Sequence, residues 1–141
     1  MPEHKKLLDV RATAVGGRDG SIATEDGKLT GRLAFPPQLG GDGNGLSPEH
    51  LFAAGHAACF ATSVKFAAKA AGLTVTNVSV TCTVSVLQEA DGAFRLASAL
   101  AVTAPELPPD RADEVLTRTH GICMYSRALA GHADVTHSFV S

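Results

Sequence analysis

The sequence predicts an α+β fold with antiparallel sheet, and three patterns support this prediction. Apolar and polar residues alternate with a period of two near the start of the chain and again over 78–102, which is typical of strands. Between these regions, an alanine-rich stretch from Ser47 to about Ala71 is apolar nearly all round, as in a helix enclosed by other structure. Further helical segments and a last strand complete a mixed order of elements.

The opening third of the chain predicts a small antiparallel meander. Strands are expected over 8–14, 21–24 and 29–35, where apolar residues alternate with polar ones. A glycine-rich turn separates the first two strands, and Asp26-Gly27 is a strong hairpin signal between the second and third. The proline- and glycine-rich stretch 36–45 is a loop long enough to shape a site.

The remaining elements follow from capping and turn residues. Ser47 is a good cap for the long helix, Pro48 and Glu49 suit its first turn, and Gly72 ends it. Strands over 78–86 and 94–102 flank an Asp-Gly turn, a second helix runs to about residue 120, a short helix follows Cys123, and a strand covers 135–140. The sequence therefore predicts a single domain, 1–141.

The composition excludes several classes of function. Hydrophobic residues make up 45% and charged residues 18% of the chain, the net charge is −2, and Trp is absent. Nucleic-acid and anionic-membrane binding are therefore poor hypotheses. The apolar stretch Leu51–Ala71 contains His56, Lys65 and Lys69, which argues against a membrane span. The start of the chain has no apolar run of signal-peptide length, so a cytoplasmic location is expected.

Two of the three cysteines suggest chemistry. Cys59 lies in the long helix and Cys123 at a helix break, each three residues after a histidine, His56 or His120. The four side chains could form a tetrahedral metal site with two histidines and two thiolates. Alternatively, the two cysteines could form a reversible disulfide. Cys82 lies on a valine-rich strand face and is expected to be inert core.

A redox role for Cys59 requires a nearby cation. An ordinary cysteine is mostly protonated at pH 7, and burial in an apolar helix favours the neutral thiol further. Arg18, on a Gly-Gly-Arg-Asp-Gly turn, could supply the charge, and Glu49 could hold the guanidinium in place. The simpler interpretations remain open: a solvated turn residue for Arg18, and a partner of the helix dipole for Glu49.

Four segments together resemble the organic hydroperoxide resistance (Ohr) branch of the OsmC/Ohr family. They are Gly-Gly-Arg-Asp-Gly (16–20), Ser-Pro-Glu-His-Leu-Phe-Ala-Ala-Gly (47–55), Ala-Cys-Phe (58–60) and His-Gly-Ile-Cys-Met-Tyr-Ser (120–126). The similarity in order and spacing extends over about 8–140, nearly the whole chain.

The resemblance implies a thiol peroxidase that reduces organic hydroperoxides, including lipid-derived ones, to alcohols. By position, Cys59 corresponds to the peroxidatic cysteine, Cys123 to the resolving cysteine, Arg18 to the arginine that activates the thiolate, and Glu49 to the glutamate that holds this arginine. The resemblance also implies an OsmC-like intertwined homodimer, with sheets wrapped around the long central helices and two sites at the interface. Such proteins need no metal or bound cofactor and are recycled by an external dithiol, the dihydrolipoamide of lipoylated proteins.

The sequence departs from the family pattern at two positions. Met124 replaces the usual proline after the resolving cysteine, which could loosen the helical turn there. His56 stands where an aromatic such as tyrosine is common, and is expected to be a packed, hydrogen-bonded side chain. Phe35, Leu51 and Phe60 are candidate apolar walls of a site, with core packing as the simpler role. A non-enzymatic protein of the same fold that binds a hydrophobic ligand is a further alternative.

Overall fold

The computed structural model describes residues 3–141. These residues form two compact units, one ending at His50 and one comprising Leu51–Ser141. Both contain β-sheet, and a long helix begins at the end of the first unit. The predicted α+β class is confirmed, whereas the single domain 1–141 stays a prediction.

The first unit contains an antiparallel sheet of three short strands in the order β1-β2-β3. These strands are β1 (Ala12–Val15), β2 (Ser21–Thr24) and β3 (Thr30–Arg32). The first strand is shorter than the predicted 8–14. Its first residue, Ala12, pairs with Thr24 at the end of β2, and the chain after β2 turns at Gly27. Leu8 and Val10 therefore precede the strand and are exposed.

The second unit contains the remaining strands and the shorter helices. The long helix α1 (Pro48–Ala70) begins where Ser47 Oγ accepts a hydrogen bond from the His50 N–H, at 3.3 Å, as the capping prediction requires. Gly72, with φ +81°, follows its end. The later elements are β4 (Ser79–Gln88), β5 (Phe94–Thr103), α2 (Pro109–Ile122), α3 (Met124–Leu129) and β6 (Asp134–Phe139).

The sheet of the second unit has the order β4-β5-β6 and is mixed. Strands β4 and β5 pair antiparallel through the Asp91-Gly92 turn, as predicted, whereas β6 pairs parallel to β5. Both α2 and α3 lie between β5 and β6 in the chain, and such a long crossover allows the parallel pairing. This connection returns β6 to the sheet beside the residues of β5 that face the core.

One face of α1 forms the core of the second unit. Its buried residues are His56, Phe60, Ser63, Val64, Ala67 and Ala68. The apolar ones among them pack with apolar residues of β5 and α2, including Leu100, Val102, Val115 and Leu116. By length and composition α1 could cross a membrane. However, its buried face carries the hydrogen-bonded His56, and α1 is the core helix of this unit.

Candidate functional site

Cys59 and Cys123 are in direct contact in the second unit. Their Sγ atoms are 3.2 Å apart, and the Cys123 thiol points its hydrogen toward the Cys59 sulfur. Cys59 lies in the middle of α1 and is partly exposed, whereas Cys123 is fully buried. Both are free thiols. Two thiols in direct contact are close enough for a disulfide to form between their sulfur atoms.

The chain holds Cys123 at the junction of two helices. Its N–H donates to the Thr119 carbonyl at 2.9 Å, which completes α2, and its carbonyl accepts from the Arg127 N–H at 2.9 Å, which opens α3. Its own backbone is extended (φ −65°, ψ 119°), so the two helices meet at this residue. Burial raises the pKa of the Cys123 thiol, and the contact with the Cys59 thiol acts in the same direction.

Arg18 and Glu49 form a bidentate ion pair in the first unit. The two terminal nitrogens of the Arg18 guanidinium, Nη1 and Nη2, donate to the two carboxylate oxygens of Glu49, at 2.9 and 2.5 Å. The hydrogen bonds from Arg18 lower the pKa of Glu49 to about 2, and those to Glu49 raise the pKa of Arg18. Glu49 therefore does more than complement the helix dipole: it fixes the orientation of the guanidinium.

Glycines shape the turn that presents Arg18. Gly17–Asp19 form one turn of 3₁₀ helix between β1 and β2. Gly16 has φ +83°, a conformation that favours glycine, and a Cβ on Gly20 would overlap the carbonyl of Val15. The glycine-rich motif is thus a structural requirement for this tight turn.

The four predicted site residues are therefore brought together as two pairs, Arg18 with Glu49 in one unit and Cys59 with Cys123 in the other. The alternative metal site is not formed, because the ring nitrogens of His56 and His120 are engaged elsewhere. His56 bonds to Ser98 and Ser126. Within residues 3–141, no group of three or more histidine, cysteine or acidic side chains is arranged to hold a metal ion.

Sequence reasoning missed a network of polar side chains behind the cysteine pair. His120 Nδ1 lies 3.0 Å from Ser126 Oγ, and its Nε2 lies 3.0 Å from His137 Nδ1. His137 Nε2 lies 2.9 Å from a carboxylate oxygen of Asp113. The available signal was the alternation in β6, which places His137 on the same face as Val135 and Phe139.

The predictions for the individual positions have different outcomes. His56 is fully buried and hydrogen-bonded, as expected. Cys82 packs against the core and contacts the Ser98 hydroxyl at 3.1 Å. Phe60 is fully buried in the core, whereas Phe35 is 37% exposed and is not core. Met124 forms the first residue of α3, so the helix begins there without the family's proline.

Comparison with known proteins places the chain in a family. The family model described as "OsmC-like protein" matches residues 41–138. The organic hydroperoxide resistance protein OhrB of Bacillus subtilis is 35% identical, and the alignment covers 92% of this chain and 95% of that protein. The organic hydroperoxide resistance protein of Xanthomonas axonopodis pv. citri is 37% identical over 94% of each chain.

Solved structures give the same assignment. An organic hydroperoxide resistance protein from Legionella pneumophila matches with a TM-score of 0.90 and 37% identity, covering 97% of this chain and all of that one. A related protein from Vibrio cholerae, with captopril bound in one of its active sites, matches with a TM-score of 0.89 and 36% identity over 98% and 95% of the two chains. The chain belongs to the OsmC family and, within it, to the branch of organic hydroperoxide resistance proteins.

Proposed function

We propose that this protein is a cysteine-based peroxidase that reduces organic hydroperoxides, including alkyl and lipid hydroperoxides, to alcohols. The observation that carries the proposal is the 3.2 Å contact between the Cys59 and Cys123 sulfurs. It is supported by membership of a branch whose members are named for organic hydroperoxide resistance.

The proposed reaction begins at Cys59, the more accessible of the two thiols. Its thiolate attacks one oxygen of the peroxide and breaks the O–O bond, and the departing alkoxide takes up a proton to become an alcohol. Cys59 is then a sulfenic acid. Cys123 attacks the sulfenic sulfur, a disulfide forms, and the hydroxyl group leaves as water.

Arg18 has the chemistry to stabilise the attacking thiolate. A guanidinium stays charged at all relevant pH values, and its planar set of donors can contact a thiolate and a peroxide oxygen together. Glu49 occupies one edge of this set through two hydrogen bonds, which leaves the remaining donors for the reaction. We assign Arg18 the role of activating Cys59, and Glu49 that of orienting Arg18.

We also propose that the protein acts as a homodimer with an active site at each side of its interface. Several large apolar side chains are more than 60% exposed in the single chain, including Leu7, Leu8, Val10 and Phe94. An interface between copies would cover apolar side chains of this kind. The Vibrio cholerae relative binds captopril in one of its active sites, which fits a molecule with more than one site.

The regeneration step requires an external dithiol. Exchange with two thiols of a reductant restores both cysteines and leaves the reductant oxidised as a disulfide. We propose the dihydrolipoamide of lipoylated proteins, acting in the cytoplasm, as this reductant. Turnover with dihydrolipoamide but not with glutathione would support this assignment.

Peroxide consumption by three variants tests the proposal. Cys59→Ser is expected to abolish the reduction of an alkyl hydroperoxide. Cys123→Ser should allow Cys59 to be oxidised once but prevent recycling through the disulfide. Cys82→Ser is the matched control and should turn over normally. Retained turnover in Cys59→Ser would contradict the proposal, and ligand binding without any peroxide consumption would favour a non-enzymatic role.

A further inference from the structure

A buried serine connects the segments that carry the two cysteines. Ser126 lies in α3, three residues after Cys123, and is 4% exposed. Its hydroxyl oxygen lies 3.1 Å from Nε2 of His56 on α1 and 3.0 Å from Nδ1 of His120 on α2. One side chain of α3 therefore bonds to both of the helices that lead to the cysteine pair.

Each of these histidines lies three residues before one of the cysteines. His56 precedes Cys59 within α1, and His120 precedes Cys123, which follows the last residue of α2. Residues three apart in a helix are neighbours on one face, separated by about one turn. The bonds to Ser126 are therefore made about one turn away from the sulfur atoms. This gives the repeated His-x-x-Cys spacing a structural role that involves no metal ion.

The backbone at Cys123 depends on such a connection because two helices meet there. Cys123 is extended between α2 and α3, and it is joined to each of them by one backbone hydrogen bond of 2.9 Å. Helix α3 has six residues, and so short a helix has little stability of its own. Its place relative to α1 is therefore set by the contacts that its side chains make.

A second contact between α3 and α1 lies beside the first. The ring of Tyr125 stacks on the imidazole of His56, with the ring centres 5.8 Å apart and the planes 22° apart. A Cβ on Gly55 would lie 2.8 Å from the Tyr125 hydroxyl oxygen, so the glycine leaves room for the tyrosine. Both contacts place α3 against the turn of α1 that precedes Cys59.

The donors and acceptors around Ser126 can all be satisfied in one direction. With Asp113 as a carboxylate, Nε2–H of His137 donates to it at 2.9 Å, and Nδ1 of His137 accepts from Nε2–H of His120 at 3.0 Å. His120 Nδ1 then accepts the hydroxyl hydrogen of Ser126, and Nε2–H of His56 donates to the Ser126 oxygen. Each histidine is neutral in this arrangement.

The other nitrogen of His56 is also held. Its Nδ1 lies 2.8 Å from the hydroxyl of Ser98 on β5, which can donate to it. Burial lowers the pKa of both His56 and His120, which favours the neutral rings that this arrangement requires. Within the described residues, 3–141, no buried side-chain nitrogen or oxygen lacks a hydrogen-bond partner. Ser126 is thus bonded to rings that are themselves fixed, which limits the positions open to α3.

We propose that three residues, here called the clamp, are positioning residues for disulfide formation: Ser126, His56 and His120. They keep the sulfur of Cys123 in contact with that of Cys59. The inference rests on the proposed function, because it concerns the attack of Cys123 on the Cys59 sulfenic acid. In that step the S–S bond forms as the S–O bond breaks, and the departing hydroxide and the proton from the Cys123 thiol form water.

The clamp acts through distance alone and takes no part in the transfer of electrons or protons. The two sulfur atoms are 3.2 Å apart in the reduced protein. Misplacing a reacting group by about 1 Å can slow a reaction by about 100-fold. Loss of the clamp should therefore slow the reaction between the two cysteines without changing the reactivity of Cys59 toward other molecules.

Disulfide closure can be measured without peroxide, which separates the clamp from the proposed activity. An aryl disulfide that releases a coloured thiolate reacts first at Cys59, the more accessible thiol, and forms a mixed disulfide. Cys123 then attacks the Cys59 sulfur and releases a second equivalent of the coloured thiolate. All proteins carry Cys82→Ser, so that the third thiol does not contribute. The first phase reports the reactivity of Cys59, and the second phase reports closure.

Substitutions of the serine give the primary test, with folding checked by circular dichroism. Ser126→Ala should slow closure by about 10- to 100-fold and leave the first phase unchanged. Ser126→Thr keeps the hydroxyl group and should close faster than Ser126→Ala. Ser138→Ala, which changes an exposed serine of β6 outside the clamp, is the matched control and should close at the wild-type rate. A purely structural effect of Ser126→Ala would slow both phases equally, and that result would overturn the proposal.

Amide substitutions at the histidines keep one hydrogen bond at a time, and they test the clamp even if Ser126→Ala does not fold. The amide of Asn reaches about as far as Nδ1 of a histidine, and the amide of Gln about as far as Nε2. His56→Gln can therefore keep the bond to Ser126, whereas His56→Asn can keep the bond to Ser98. The order is reversed at His120, which contacts Ser126 through Nδ1. Closure should be slow in His56→Asn and His120→Gln, and close to the wild-type rate in His56→Gln and His120→Asn.

Two results would overturn the clamp. One is closure at the wild-type rate in a folded Ser126→Ala, and the other is equal closure in the Asn and Gln variants at each histidine. If the wild type closes normally with the aryl disulfide but does not consume an alkyl hydroperoxide, the proposed peroxidase function is contradicted and the clamp is not. The two failures are therefore distinguishable.

Discussion

Removing the charge of Glu49 should change the pH dependence of stability in a defined direction. In the folded protein, hydrogen bonds from Arg18 hold the pKa of Glu49 at about 2, compared with an ordinary value of 4.5. A carboxyl group with a lowered pKa stabilises the fold fully above its unfolded pKa and loses this contribution as the pH falls through its folded pKa. The window in which the pair weakens is therefore about pH 4.5 to 2.

The size of the effect follows from the shift and from the exposure of the pair. At about 1.4 kcal/mol for each pKa unit, the change from 4.5 to about 2 corresponds to an upper bound of about 3.5 kcal/mol. The side chain of Arg18 is 38% exposed and that of Glu49 is 21% exposed. Because solvent and salt screen an ion pair of this exposure, we expect about 1–2 kcal/mol at neutral pH.

Urea unfolding of the wild type and Glu49→Gln between pH 7 and 2.5 provides the assay, at fixed protein concentration. The variant should be about 1–2 kcal/mol less stable at pH 7, and the difference should shrink toward acid pH. Glu25→Gln is the matched control, because Glu25 pairs with Arg11 at 3.5 Å with both side chains at least 70% exposed, and such pairs contribute little. A difference between wild type and Glu49→Gln that stays constant from pH 7 to 2.5 would refute the reasoning.

Three further substitutions have expected outcomes. His56→Phe removes two buried hydrogen bonds, to Ser98 and Ser126, and should cost about 1–3 kcal/mol in urea unfolding. Burial lowers the pKa of His56 from its ordinary value of 6.5, so the unfolded chain takes up the proton more readily than the folded protein, and the wild type becomes less stable as the pH falls below 6.5. His56→Phe should therefore lose less stability than the wild type between pH 7 and 5. An equal loss in both proteins would contradict this. Met124→Pro places proline at the first position of α3 and should raise stability by about 0.4–1 kcal/mol, seen as a higher Tm; a lower Tm would count against that geometry. Cys82→Ser should leave peroxide turnover at the wild-type rate, and a loss of turnover without a loss of stability would give Cys82 a role beyond packing.

Local sequence patterns predict most of the fold. The helix from Pro48 and the hairpin around Asp91-Gly92 follow from capping, turn residues and periodicity, which act over a few residues. The parallel pairing of β6 does not follow from them, because register and direction depend on how α2 and α3 return the chain to the sheet. The length of β1 likewise depends on where its partner turns.

The candidate site was predictable only in part. Cys59 and Cys123 are distinctive by position, and their contact agrees with the proposed pairing. The partners of His56 and His120 were not predictable, since the His-x-x-Cys spacing on two helices is equally compatible with a metal site. The two histidines do not serve as metal ligands because Ser126 and His137 lie within hydrogen-bonding distance of them. These contacts form only when α1, α2, α3 and β6 pack together, which the local sequence does not reveal.

Disulfide mapping after peroxide treatment tests the central claim most directly. The reduced protein is treated with one equivalent of an alkyl hydroperoxide, digested without reduction and examined by mass spectrometry. The account predicts a peptide pair joined by a Cys59–Cys123 disulfide, with Cys82 still a free thiol. Oxidation that leaves Cys123 free in the wild type, or a disulfide that involves Cys82 instead, would contradict the account.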